Sequence, residues 1–235
     1  MSLYVTEYNH DIFVCIRYLI KILTQYQSQA IMSQQQLNDF KLPHNFRGKS
    51  GWYTQFWWIV EALFFRPSPQ FMYGWRRFLL RSFGAKIGKA VIVRPTVRTQ
   101  FPWRVSIGDF SWIGDNVVLY SLGIIDIGNN VVVSQKSYLC TGSHDYTRQD
   151  FPISCMPVIL EDECWLGTDV YVAPGVTIGE GTVVGARSSV FKSLPAGMVC
   201  VGSPAKVVKQ RKEHEMRMLK AVVNYGLSAV DNPFE

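Results

Sequence analysis

Residues 160–190 read LEDECWLGTDVYVAPGVTIGEGTVVGARSSV, and Leu160, Leu166, Val172, Ile178, Val184 and Val190 stand six positions apart. A period of six matches neither the 3.6 of a helix nor the two of a plain strand. It fits a coil of three short strands, roughly 18 residues per turn, with one aliphatic side chain per strand pointing inward. The spacing extends toward the N-terminus through Ile127, Val133 and Leu139, through Ile107, Ile113 and Leu119, and through Ile87 and Val93. Gly follows Ile87, Ile107, Ile113, Ile127, Leu166, Ile178 and Val184. These glycines are expected to supply positive φ at tight corners. Each turn would lay its strands about 4.8 Å from the turn below. The product is an all-β solenoid with one continuous core.

Breaks in the period mark excursions. They fall between Val93 and Ile107, between Leu119 and Ile127, and between Leu139 and Leu160. The last contains Gly142, Ser143, His144, Asp145, Arg148 and Asp150. Loops leaving a rigid scaffold are where function concentrates. After Val190, Pro195 and the run VGSPAK (201–206) end the repeat, and the charged segment 208–220 is expected to form a helix over the open end. Four regions result: an N-terminal extension (1–39), a helical, aromatic and basic segment (40–84), the solenoid (85–207) and a C-terminal helix and tail (208–235).

Composition agrees with one packed domain plus an appendage. Of 235 residues, 48% are hydrophobic and 18% charged, which excludes a disordered chain. Five cysteines with no C-x-x-C pair exclude a disulfide scaffold and point to a reduced, cytoplasmic compartment. The net charge of +6 divides into +10 over residues 1–104 and −4 over the remainder. Residues 66–104 carry Arg66, Arg76, Arg77, Arg81, Lys86, Lys89, Arg94, Arg98 and Arg104 without one acid. That run suits an anionic partner, or a solvated face. The apolar stretches 12–23 and 56–65 are too short to span a bilayer and could lie flat on one or pack on the core. Glutamines crowd residues 25–36, an expected connector, and Met32 is a possible alternative start.

His144 alone represents histidine between residues 45 and 213. With an unperturbed pKa near 6.5, imidazole suits a general base at neutral pH. One histidine per chain does not make a catalytic zinc site, so no metal is expected. Phosphate-binding glycine loops and a serine elbow are absent from the sequence.

The repeat, the His144 excursion and the ending resemble the hexapeptide-repeat acyltransferases, specifically the WcaF-type O-acetyltransferases of colanic acid and related exopolysaccharide synthesis. The likeness is carried by FRPSPQFMYGWRRFLLRSFGAKIG (65–88), SQKSYLCTGSHDY (134–146), VYVAPGVTIGEGTVVGARSSVFKSLPAG (170–197) and VGSPAKVVK (201–209). The resemblance implies a left-handed parallel β-helix, a homotrimer, and acetyl-CoA bound between neighbouring chains. It implies that His144 deprotonates a sugar hydroxyl that attacks the thioester directly. Trp165, Thr168, Gly185, Ala186, Lys206 and Lys209 fall at donor-binding positions. Tyr120 and Ser121 fall where relatives contact the acceptor, and Asp145 is a candidate to contact it or to orient the imidazole. The acceptor would be a sugar or a lipid-linked oligosaccharide, met in the cytoplasm or at the inner-membrane surface, and nucleic acid is not an expected partner. An acyltransferase of the same fold acting on an amino sugar or serine, and a non-catalytic scaffold, remain as alternatives.

Overall fold

A computed structural model describes residues 16–24 and 35–212. Two compact units are present: the chain up to Leu42 with His144–Pro152, and Pro43–Ser143 with the chain from Ile153. Met32, most of the glutamine-rich run and the expected C-terminal helix from 213 onward lie outside the described residues. In the first unit, residues 16–24 form a helix with every side chain exposed, and Leu37–Asp39 form a single 3-10 turn.

The second unit contains the solenoid, whose short strands build three faces. The first face stacks Lys86–Ile87, Val105–Ile107, Ile125–Ile127, Val158–Leu160 and Thr177–Ile178 in parallel. The second stacks Ile92–Val93, Trp112–Ile113, Val132–Val133, Trp165–Leu166, Val183–Val184 and Met198–Val201. The third stacks Arg98–Thr99, Val118–Tyr120, Tyr138–Cys140, Tyr171–Val172 and Ser189–Val190. Register places the repeat residues directly over one another: Ile87, Ile107, Ile127, Leu160 and Ile178 form one column. Val93, Ile113, Val133, Leu166, Val184 and Cys200 form the second. Thr99, Leu119, Leu139, Val172 and Val190 form the third. All fourteen aliphatics of the sequence pattern are buried.

A further inward position stands two residues before each member of these three columns, and the six-residue count alone did not reveal it. Val91, Val97, Val117, Val131, Val170 and Val176 occupy it as buried apolar residues. Ser111, Ser137 and Thr182 occupy equivalent places, and each hydroxyl bonds backbone of an adjacent coil. Ser111 Oγ donates to Gly128 O at 2.7 Å and accepts from Val131 N at 3.0 Å. Thr182 Oγ1 donates to Pro195 O at 2.6 Å. A buried hydroxyl is tolerated where its hydrogen bonds are made.

The glycines after the aliphatics do not serve as expected. Positive φ falls two residues later, at Ala90, Phe110, Asn116, Asn130, Lys136, Glu163, Asp169 and Arg187, and at Gly175 and Gly181. What the repeat glycines supply is space. A Cβ on Gly108 would lie 2.6 Å from the carbonyl carbon of Gly128 in the next coil, and one on Gly179 would lie 2.4 Å from Ala196 N. Coils about 4.8 Å apart leave no room there for a methyl group.

Helices close the N-terminal end. The first helix, Gly51–Val60, begins at Ser50, whose hydroxyl accepts from Tyr53 N, and continues into a π-helical turn at Glu61–Phe65. It buries Trp57, Val60 and Phe65 against the coil. The second, Tyr73–Ser82, buries Arg76, Leu79 and Leu80. A terminal coil presents carbonyls that no further coil will meet. Arg76 Nε donates to Val93 O at 2.6 Å, Arg77 to Val91 O at 2.8 Å, Arg81 to Ile87 O at 2.7 Å, and Trp57 Nε1 to Thr99 O at 2.8 Å. Arg94 pairs with Asp115 at 2.8 Å, and Arg104 donates to the carbonyls of Leu122 and Phe46. Five cations of the basic run are therefore structural, which corrects the expectation that the whole run faces solvent or an anion.

The C-terminal end is closed by backbone. Lys206–Gln210 forms a strand antiparallel to Met198–Val201, so Val208, Lys209 and Gln210 are extended rather than helical. Unpaired strand edges favour an added strand, and this pairing overrides helix propensity at residues 208–210.

Candidate active site

The chain leaves the solenoid through Gly142–His144 and returns through Ile153–Cys155. The exit is pinned by Thr141, whose hydroxyl donates to Tyr120 O at 2.6 Å and accepts from Gly123 N at 2.7 Å. Met156 N donates to Thr141 O at 2.9 Å and closes the base. Gly142 packs closely on this base: a Cβ there would lie 2.7 Å from Leu122 Cδ1, so that side chain would have to shift.

Within the unit that holds it, His144 is half-buried and has two defined contacts. Its ring stacks on Phe151 with centroids 4.3 Å apart and an interplanar angle of 9°, and Phe40 lies tilted at 6.0 Å. Its Nδ1 stands 2.9 Å from the carbonyl oxygen of Phe151. A carbonyl only accepts, so Nδ1 carries the proton. In the neutral imidazole that leaves the lone pair on Nε2. Phe151 holds φ at +44°, a strained value for a bulky residue, and supplies both the stacking ring and the orienting carbonyl. Gln36 N donates to Gln149 O at 2.7 Å within the same unit.

Asp145 does not orient the imidazole. Its Oδ1 accepts from Thr147 N at 3.0 Å and from the Thr147 hydroxyl at 2.6 Å, closing an Asx turn. Those two bonds hold its carboxyl below the usual aspartate range. Arg148 and Asp150 pair at 2.7 Å two residues further on. The orienting group is thus a backbone carbonyl, which no residue type announces in a sequence. Phe40 was equally hidden, since nothing local links it to position 144.

The six donor-side candidates gather along the second face and the corner that ends it. Trp165 is half-exposed on that face, its indole N–H donating to Ser134 Oγ at 3.1 Å. Thr168 stands at the next corner, and its carbonyl accepts from Arg187 N at 2.8 Å in the coil above. Gly185 and Ala186 occupy the same corner one coil on, where a Cβ on Gly167 would meet Ala186 N at 2.7 Å. Lys206 and Lys209 are exposed on the antiparallel strand, in the same sheet as Trp165 and three strands away. At about 4.8 Å per strand the row spans about 14 Å.

Tyr120 and Ser121 separate in role. Ser121 is fully buried; its hydroxyl accepts from Phe101 N at 2.8 Å and donates to Phe101 O at 3.0 Å. That hydroxyl is a core clamp, and the expectation that it contacts an acceptor is corrected. Tyr120 lies on the outside of the third face in an aromatic ladder with Tyr138 and Tyr171, centroids 5.9 and 6.1 Å apart. Burial raises the Tyr120 phenol and pushes those of Tyr138 and Tyr171 up to about 12, so all three remain O–H donors. A cavity of about 530 Å³ opens beside them, lined by Trp58, Glu61, Arg66, Arg98, Tyr120 and Tyr138 among others. Among the described residues no His, Cys, Asp and Glu cluster suits a metal ion.

Comparison with known proteins accords with this geometry. The family profile of the bacterial transferase hexapeptide (six repeats) matches residues 157–192. The acetyltransferase WcaF of Escherichia coli (strain K12), named for colanic acid biosynthesis, is 58% identical over 181 residues, 77% of this chain and 100% of the relative. Galactoside O-acetyltransferase of the same organism is 27% identical, with 60% of this chain and 70% of the relative aligned. A hexapeptide-repeat acetyltransferase of Vibrio cholerae, solved in complex with acetyl coenzyme A, superposes with a TM-score of 0.63 at 27% identity. That superposition covers 69% of this chain and 91% of the other. With its repeats stacked coil on coil and the full length of WcaF matched at that identity, the chain belongs to the hexapeptide-repeat acetyltransferases of the WcaF type.

Proposed function

We propose that the protein transfers an acetyl group from acetyl-CoA to a sugar hydroxyl in exopolysaccharide synthesis, with His144 as general base. The observation that carries this reading is the Nδ1 contact with the Phe151 carbonyl, which fixes the tautomer and leaves Nε2 as the proton acceptor. Nε2 takes the hydroxyl proton as the sugar oxygen bonds to the thioester carbonyl carbon. The tetrahedral adduct then expels the CoA sulfur, which receives the proton from the imidazolium. No acyl-enzyme forms.

Holding both reactants together supplies about 7–11 kcal/mol of the barrier reduction, and the base contributes about 10²–10⁴-fold. The donor lies along Trp165, Thr168, Gly185 and Ala186, with Lys206 and Lys209 toward the nucleotide phosphates. The acceptor meets Tyr120, whose phenol stays a donor, and the free Oδ2 of Asp145. Relatives named as a galactoside O-acetyltransferase and as an acetyltransferase of colanic acid biosynthesis support a sugar acceptor. The protein works as a homotrimer in the cytoplasm and meets the inner membrane peripherally, where a lipid-linked oligosaccharide would be presented.

The test is thiol release from acetyl-CoA across a panel of free and lipid-linked sugars. Hydroxyl sugars should support release. Release with amino sugars or serine alone would assign a different acceptor, and none with any acceptor would leave a scaffold.

A further inference from the structure

We propose that the outer face of the first helix docks the protein on an anionic bilayer surface. The proposal rests on the peripheral-membrane part of the reading above and not on its catalytic part. Gly51–Val60 is apolar on two faces, and the coil uses only one. Trp57, Val60 and Phe65 are buried, whereas Trp52, Phe56, Ile59 and Leu63, spaced four, three and four residues apart, are exposed, Trp52 to 88%. Such spacing aligns them along one side of the helix. Phe64 and Phe78 extend the stripe, joined through Trp75, whose indole N–H donates to Phe64 O at 3.0 Å and whose ring stacks on Phe78 at 5.7 Å. Large contiguous apolar patches on a folded surface mark interaction sites.

Charge identifies the occupant. The helix Gly51–Val60 contains no Asp, Glu, Lys or Arg. Across residues 43–104 stand eleven Arg and Lys, from Arg47 to Arg104, against Glu61 alone. Most of the engaged guanidiniums bond neutral carbonyls, so their charge is not cancelled. Aromatic side chains inserted about 5–10 Å among headgroups, ringed by cations, are how a helix lies on an anionic leaflet. Among the described residues no helix is long and apolar enough to cross one. A twofold contact with a second copy would instead oppose like charges.

The full-length protein should co-sediment with vesicles of phosphatidylglycerol and phosphatidylethanolamine at low salt, less so at high salt, and weakly with phosphatidylcholine alone. The pair Trp52→Ser and Phe56→Ser should weaken that binding by at least about tenfold, with melting temperature and light-scattering mass unchanged. Ile59→Ser with Leu63→Ser provides a second pair should the first fold poorly. Failure of the wild type to bind would overturn membrane contact altogether. Retained binding in folded variants would assign it elsewhere, as to the exposed helix 16–24, and a change in mass would make the stripe a contact between copies. Each of these outcomes ends the proposal without bearing on turnover.

Discussion

The solenoid coils and the His144 segment hold their parts in opposite ways. In the inner coils strand after strand repeats the same contact, an aliphatic column and a parallel ladder, so a column residue is supported above and below by equivalents. The His144 segment uses each contact once: one carbonyl against Nδ1, one stacked ring, one Asx turn and one ion pair. Repetition gives stability that tolerates local change. Single-use contacts give one side chain one orientation. Stability and turnover should therefore respond to substitutions in different places.

The most severe effect should come from His144→Ala. Loss of the base should lower kcat by about 10²–10⁴-fold, with CoA affinity intact. The melting temperature should move by less than about 2 °C, as for a substitution outside the core. Steady-state kinetics beside calorimetry would check this, and near-normal turnover would remove His144 from the base role.

Coil substitutions should do the reverse. Leu139→Ala opens a cavity in a fully buried column and should cost about 3 kcal/mol, lowering the melting temperature by about 6–12 °C. Arg76→Met should cost a similar amount. It strands the buried Val93 O, at about 1–3 kcal/mol, and also removes the bonds to Ser68 Oγ, Pro69 O and Gln70 O, which belong to half-buried or exposed residues. In both variants kcat per folded molecule should stay near wild type at a temperature well below the transition. A drop in kcat without a drop in melting temperature would break the division between coil and His144 segment.

The same division explains what could be seen in the sequence. The columns were legible because periodicity is a sum over many residues, and fourteen aliphatics at one spacing outweigh any single exception. Their glycines were visible but misread, because crowding by the next coil is a contact about twenty residues away, whereas φ is a local property. Arg76, Arg77 and Arg81 read as free cations because their partners are backbone carbonyls of the first coil, which carry no mark in the sequence. His144 was conspicuous by type and position. Phe151 as its orienting group was not, since the contact is made by backbone. Asp145 Oδ1 is held by Thr147 two residues on and the Ser121 hydroxyl by Phe101 in the neighbouring coil, and neither bond is marked in the sequence.

Thr99 puts a polar side chain into the third column, and it sharpens the contrast on a smaller scale. It stacks on Leu119 in the third column, and its Oγ1 is buried without a partner among the described residues. A buried hydroxyl with no bond costs free energy that an isosteric methyl does not. Thr99→Val should raise stability by about 1 kcal/mol, or about 2–4 °C. A loss instead would show that the hydroxyl has a use the coil does not reveal.

The smallest effect concerns Glu61, a coil-cap residue held, like the histidine, by contacts made once. Its Oε1 accepts from Thr99 N at 2.9 Å. Desolvation raises its pKa, and that backbone bond and the charges of Arg66 and Arg98 only partly offset the rise. Between the ordinary glutamate value and the raised one, the folded chain binds more protons than the unfolded chain. Stability from this group is therefore greatest at acid pH and falls as pH rises through that window. Glu61→Gln keeps an oxygen for Thr99 N and removes the ionisation. The variant should match wild type below the window and melt slightly higher above it. Melting curves from about pH 4 to about pH 8 would follow the gap. A gap that opens in favour of wild type instead would mean that the two arginines outweigh burial, and that this end of the solenoid depends on Glu61 as specifically as the His144 segment depends on its carbonyl.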